Sequence, residues 1–382
     1  MADRIPAEVF PPGAFVREEL EARDWTQLDL AEIIGCPPRL VSEVITGKRS
    51  ITPKTACRLG EAFGTGAQIW MNLESAYKLH RSGSTDGVVA KRAQLFEKAP
   101  IREMSKRGWI EPAENPDVLE QRLLDYFEIE SLSDVPEIWP RRARKSTAYP
   151  EVTPAQWAWL CRAKKLSRHL AAPDYSLHKL RNARDLLQSC LQSVEETRRV
   201  PMILVNAGIR FVIVEPLSGT KIDGACFWLS KKAPVVALSL RCDRIDFFWH
   251  TLMHELAHVG NQDGLKGHSW TLDIDLLGAE SDLDADERPD IEKSADRSAL
   301  ESLVDQSELI DFIARTRPLY SKAKVRDFAR RLGVHAGIVL GQLQHREEIS
   351  YAHSHNILEK VRQFVTQSAL TDGWGAIPPA DL

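Results

Sequence analysis

The residues most able to do chemistry stand in one short run, His254-Glu255-Leu256-Ala257-His258. On a helix, residues four apart share a face, so the two imidazoles can bind one tetrahedral zinc ion while Glu255 lies beside them without being a ligand. A carboxylate in that position takes a proton from an attacking water and hands it to the leaving amine of a peptide bond. The run sits in a long helical pattern, apolar along Phe248, Leu252, Leu256 and Val259, as a buried active helix requires.

Two histidines leave the site one protein ligand short. The metzincin spacing is not met, because His268 falls ten residues after His258. Glu292 is the better third ligand, in a helical segment where Asp296 follows one turn later and can orient a ligating imidazole. Asp273, Asp275 and Glu280 are the alternatives. His250 precedes His254 by one turn and could be mistaken for a ligand, while His268, His345 and Tyr351 are candidate oxyanion or substrate contacts.

A second kind of chemistry is written near the N-terminus. Thr26 to Ile34 forms a capped helix ending at Gly35, and Pro38 to Ile45 supplies a second helix packed through Leu40, Val41, Val44 and Ile45. That spacing is a helix-turn-helix, whose second helix starts in the DNA major groove. Arg39 and Glu43 share its exposed face. Arg39 suits a guanine edge, and Gln27, Lys48 and Arg49 suit phosphates. A duplex operator is the expected partner, bound by a homodimer because one recognition helix reads only a few base pairs.

These residues, with Ile51-Thr52-Pro53-Lys54-Thr55-Ala56 and Ile69-Trp70-Met71-Asn72-Leu73, resemble the Cro/C1-type helix-turn-helix of HigA-like antitoxins over about the first 80 positions. Pro37-Pro38 departs from that pattern. From about Pro201 to Ser350 the chain resembles the ImmA/IrrE zinc metallopeptidases: a strand-rich lead-in, Phe247 to Leu252 before the motif, an acidic loop, then Glu292 to Asp296. That resemblance implies zinc ligands His254, His258 and Glu292, with Glu255 as catalytic acid/base. A stretch such as Lys106-Arg107-Gly108-Trp109-Ile110 is the kind of connector that joins the two.

The elements that must position these residues follow from local pattern. Thr26, Thr52 and Thr65 stand where helix N-caps are wanted, and Gly35, Gly47 and Gly64 where helices stop. Period-two patterns over 210–214, 225–229 and 235–239 predict a small three-stranded sheet ahead of a helix from about Asp246. The fold class is therefore multidomain: an all-α helix-turn-helix domain (1–81), a helical connector basic in its second half (88–200), an α+β zincin-like domain (201–350) and a C-terminal tail (351–382). A faint echo of residues 31–41 recurs at 329–339 and suggests a second helix-turn-helix-like fold turned to protein contact.

Composition bounds the rest. With 382 residues, 43% of them hydrophobic and 27% charged, the chain can build sizeable cores. A net charge of -4 excludes an overall basic phosphate binder, so any nucleic-acid contact must be local, as in the cluster Arg39, Lys48, Arg49, Lys54 and Arg58. No leader, membrane span or C-x-x-C pair is visible among the six cysteines, which reads as a cytoplasmic protein with reduced thiols. The acidic stretch Asp263 to Asp290 is read as a loop at the cleft rim, either a lid held by Arg162, Lys164, Lys165 and Arg168 or a solvated, disordered loop. The function expected is a DNA-bound regulator whose zinc domain cleaves a repressor or antitoxin-like protein; the alternative is a non-enzymatic antitoxin or repressor whose second domain binds a toxin or senses a signal.

Overall fold

The helices begin where the sequence supplies caps. Thr26 and Asp29 exchange side-chain and backbone hydrogen bonds in a capping box that starts α2 (Gln27–Ile33), and Thr52 caps α4 (Pro53–Phe63). Thr65 is different: Gly66 occupies the N-cap of α5 (Ala67–Arg81), and the Thr65 hydroxyl instead accepts a hydrogen bond from the Trp70 indole at 2.9 Å. A buried indole N–H must find an acceptor, and Thr65 is within reach.

The computed structural model describes residues 10–82, 87–132, 152–263, 265, 271–274, 290–351 and 355–373. They form two compact units, Met1–Lys91 and Arg92–Leu382. In the first, α1 (Pro12–Glu21), α2, α3 (Pro38–Ile45), α4 and α5 enclose Val16, Leu20, Leu30, Val41, Val44, Ile51, Leu59 and Trp70. Burying each such side chain contributes roughly 1.5–3 kcal/mol. Gly35, with φ 60°, makes the turn between α2 and α3.

The second unit is built on a mixed sheet of five strands in the order β4-β2-β3-β1-β5. These are β1 (Arg210–Ile213), β2 (Ile222–Ser230), β3 (Ala233–Leu238), β4 (Thr271–Ile274) and β5 (Leu370–Thr371). The three expected strands are its centre. The two additional edges are four and two residues long, too short to carry a period, and each is recruited from far along the chain. β1 runs parallel to β3 and β5, whereas β2 is antiparallel to β3 and β4.

Alternate residues of the strands feed two different cores. Phe211, Ile213, Cys226, Val236 and Leu238 join one with α10 (Leu177–Gln188), α11 (Val200–Asn206), α12 (Ile245–Asn261), α13 (Asp290–Leu303), α14 (Gln306–Thr316), α15 (Lys322–Leu332), α16 (Ala336–His345) and α17 (Arg362–Val365). Val212, Val214, Ala225, Phe227, Val235 and Ala237 join another with α6 (Val88–Lys98), α7 (Ile101–Lys106), α8 (Pro116–Phe127) and α9 (Pro154–Arg168). The segment 88–200, set apart as a connector, thus supplies helices to both faces of the sheet, and the tail from 351 returns to add its last strand. Apolar periodicity marked these helices but carried no information about their partner. Arg107 anchors the layer, donating to the carbonyls of Glu215 at 2.7 Å and Pro216 at 2.8 Å and pairing with Asp372.

The basic residues assigned to the acidic lid are otherwise engaged. Lys164, Lys165 and Arg168 converge on Glu128 at the end of α8, and Arg162 lies over the Trp109 ring. The lid itself falls almost wholly outside the described residues. The echo at 329–339 is a helix-turn-helix in local form, α15, Gly333, α16, yet α16 is largely buried and packs on α12. A Cβ at Gly341 would lie 2.5 Å from the Asp246 carboxylate, so this helix pair closes only around a glycine.

Glu128 provides a test of the α8–α9 clasp. Hydrogen bonding from Arg168, then Lys164, lowers its carboxyl from 4.5 to about 2. A depressed folded-state value stabilises above the unfolded pKa and is lost as pH falls from about 4.5 toward 2. Because Glu128 is a third exposed, Glu128→Gln should cost about 1 kcal/mol or less at neutral pH and nothing near pH 2, measured by urea unfolding across that range.

Candidate functional site

Helix α12 runs from Ile245 to Asn261 and carries His254, Glu255 and His258 at 0% exposure. Apolar residues surround them: Phe248, Leu252, Leu256 and Val259 all enter the same core. The helix ends in a left-handed residue, Gln262, with φ 59°. That turn brings Asp263 back onto its own last turn, where the carboxylate meets His258 Nδ1 at 2.9 Å. Across from it, α13 presents Glu292 and, one turn on, Asp296, whose carboxylate meets His254 Nδ1 at 2.8 Å.

With each Nδ1 facing a carboxylate, the favoured tautomer carries its proton there and leaves the Nε2 lone pair pointing inward. The two Nε2 atoms stand 2.9 Å apart, and Glu292 Oε2 lies 3.2 Å from one and 3.3 Å from the other. Zinc bonds of about 2.0–2.1 Å at the tetrahedral angle separate ligand atoms by about 3.3 Å, so a triangle of these edges fits three corners of a zinc tetrahedron. Three acceptors facing one another repel unless positive charge sits among them, which is the donor chemistry a divalent cation needs. Among the described residues, His254, His258 and Glu292 are the cluster able to hold a metal ion.

The other sequence candidates are not part of this triangle. His250 and His345 line a small cavity with Asp246, Leu300 and Gln342, Tyr351 is exposed beyond α16, and Asp273 pairs with Gly224 in the sheet. His268, Asp275 and Glu280 are outside the described residues. Two contributors were missed. Asp263 was read as the start of the acidic stretch, although a carboxylate five residues past a helical His258 is within reach of a turn. Gly224 is the other. It stands inside β2 at a break in register with β4, and a Cβ there would lie 2.3 Å from Glu255 Oε1 and 2.9 Å from Thr251 Cγ2. Only a hydrogen at this position leaves room for the Glu255 carboxylate.

In the first unit, Gln27 opens α2 and is exposed, and Arg39 follows Pro38 in the first turn of α3. Lys48 and Arg49 are exposed just past α3, their backbone N–H groups donating to the Glu43 carbonyl at 2.8 and 3.0 Å. Ion pairs bring Arg39, Glu43 and Arg49 together: Glu43 accepts from Arg39 Nε at 2.7 Å and from Arg49 at 3.3 Å. Of the wider basic cluster, Arg58 is turned to the Gly35 carbonyl at 3.2 Å, where it braces the turn.

The helix-turn-helix family pattern matches residues 16–70. The uncharacterized HTH-type transcriptional regulator YddM of Escherichia coli is 30% identical over 74 residues, which is 19% of this chain and 79% of that protein. This chain belongs to the helix-turn-helix transcriptional regulators. Virulence-associated protein I of Dichelobacter nodosus is 38% identical over 69 residues, 18% of this chain and 64% of that protein. The solved Pseudomonas aeruginosa antitoxin HigA with the higBA promoter is 31% identical, covering 23% of this chain and 91% of its own, with a TM-score of 0.19. In this regulator the pattern lies wholly within the first unit, and it spans Gln27, Arg39, Glu43, Lys48 and Arg49.

The fit between Gly224 and Glu255 generates a prediction for the regulator's second unit. Gly224→Ala should destabilise it by about 1–3 kcal/mol through overpacking. Most of that loss should disappear in a Glu255→Ala background, where the obstructing carboxylate is gone, leaving the smaller conflict with Thr251. Denaturant unfolding of both single variants and the double variant measures the coupling.

Proposed function

We propose that this regulator binds a duplex operator as a homodimer through its first unit and, through its second, hydrolyses a peptide bond in a protein partner such as a repressor or an antitoxin. The observation that carries the enzymatic half is the triangle of His254 Nε2, His258 Nε2 and Glu292 Oε2, with Glu255 on the same helix. The resemblance of residues 201–350 to the ImmA/IrrE metallopeptidases supports the same reading.

His254, His258 and Glu292 would hold a zinc ion, which would supply Lewis acidity to the attacking water and the scissile carbonyl. Asp296 and Asp263 keep the two imidazoles in the ligating tautomer and limit their rotation. Glu255 accepts the proton of the attacking water and returns it to the amine as the peptide bond breaks. Its buried setting strengthens that exchange, because no bulk water screens the charge that moves.

The separation of ligand and base roles on one helix is directly testable. His254→Ala, His258→Ala and Glu292→Ala should each lose stoichiometric zinc, whereas Glu255→Gln should keep zinc and abolish cleavage. Elemental analysis of the purified chain and incubation with the products of neighbouring genes provide the two readouts. Zinc retained in full by Glu292→Ala would exclude Glu292 as the third ligand. Stoichiometric zinc with no cleavage of any of those proteins would favour a second unit that binds a toxin or senses a signal.

A further inference from the structure

We infer that Glu43 aims Arg39 at a guanine, so that base selection by α3 depends on this carboxylate as well as on the guanidinium; the inference rests on the operator-binding reading of the first unit. Arg39 is a long side chain, 87% exposed, at the start of the recognition helix. Left to itself it would sample many rotamers and reach for phosphates as readily as for bases. Glu43, one turn later on the same face, takes its Nε at 2.7 Å. The two terminal Nη groups make no bond to any other described residue, so the end of the guanidinium fork is the part left to be offered.

That choice of nitrogen matters. Two parallel N–H donors match the O6 and N7 acceptors of guanine, whereas adenine offers an acceptor at N7 and a donor at N6. A fork fixed at Nε can satisfy guanine twice and adenine once. The carboxylate is itself held: its second oxygen receives Arg49 at 3.3 Å, and its side chain is only 24% exposed. Its negative charge also opposes a swing of the assembly toward the phosphate backbone. Arg49, tied to the same carboxylate, links the reader of bases to a residue suited to phosphate contact.

The test uses the full chain and a randomised duplex pool to select its binding site, followed by competition with duplexes in which each G·C pair is replaced by A·T. The wild-type protein should prefer guanine at one position by about tenfold or more, and Arg39→Ala should erase that preference. Glu43→Ala should reduce the preference to within about threefold while binding to unrelated duplex is unchanged or stronger. In the Arg39→Ala background, Glu43→Ala should change the preference no further. Thermal unfolding checks that the variants fold, with Glu43→Gln as the isosteric substitute. An undiminished guanine preference in Glu43→Ala, or tighter specific binding because a mask has been removed, overturns the aiming role. Absence of any selected site or salt-dependent duplex binding by the wild-type chain defeats the operator reading and the inference with it.

Discussion

Everything in the second unit answers to one constraint: α12 takes two imidazoles and a carboxylate out of water together. Burying polar groups without partners costs several kcal/mol each, so the two imidazoles are tolerable there only because neighbouring carboxylates meet them. Asp263 meets His258, Asp296 meets His254, and Glu292 reaches both. Once the outward nitrogens are committed to carboxylates, the inward ones have nothing to face but one another and Glu292. The triangle of the two Nε2 atoms and Glu292 Oε2 is thus a consequence of how the burial is satisfied.

The surrounding architecture holds that arrangement in place. β2 passes α12 so closely that only Gly224 fits beside Glu255, and α16 closes on the helix at Gly341. Helices α6 to α9 cover the far face of the sheet, with Trp159 donating to the Val214 carbonyl at 2.8 Å and Gln156 to the Thr220 carbonyl at 2.9 Å. A sheet buried on both faces presents a rigid backing to α12, and rigid backing is what a site with tolerances of tenths of an ångström demands.

The first unit solves the opposite problem. Its core of Val16, Leu30, Val41, Leu59 and Trp70 is ordinary, and its chemistry stays on the surface, where ion pairs are individually weak. Order there comes from geometry: a capping box starting α2, a glycine turn, and Glu43 bonded through both carboxylate oxygens. Such a surface can change its readers without disturbing the fold, while α12 has no comparable freedom.

Local order along the chain determined what could be read without coordinates. The helix-turn-helix followed from caps, glycines and apolar spacing within twenty residues, and His254 and His258 from a four-residue interval, because both are properties of one or two turns of helix. Glu292 and Asp296 were legible as a pair one turn apart, a third ligand and a group to orient an imidazole; that the imidazole is that of His254 was decided by the packing of α13 on α12. What the tertiary structure decided was non-local: that α7, α8 and α9 cover one face of the sheet, that the tail completes it, that Lys164 and Arg168 serve Glu128, and that Gly224 makes room for Glu255. Those outcomes depend on which surfaces meet, and a pattern of apolar and charged residues states how much surface must be buried without naming its partner.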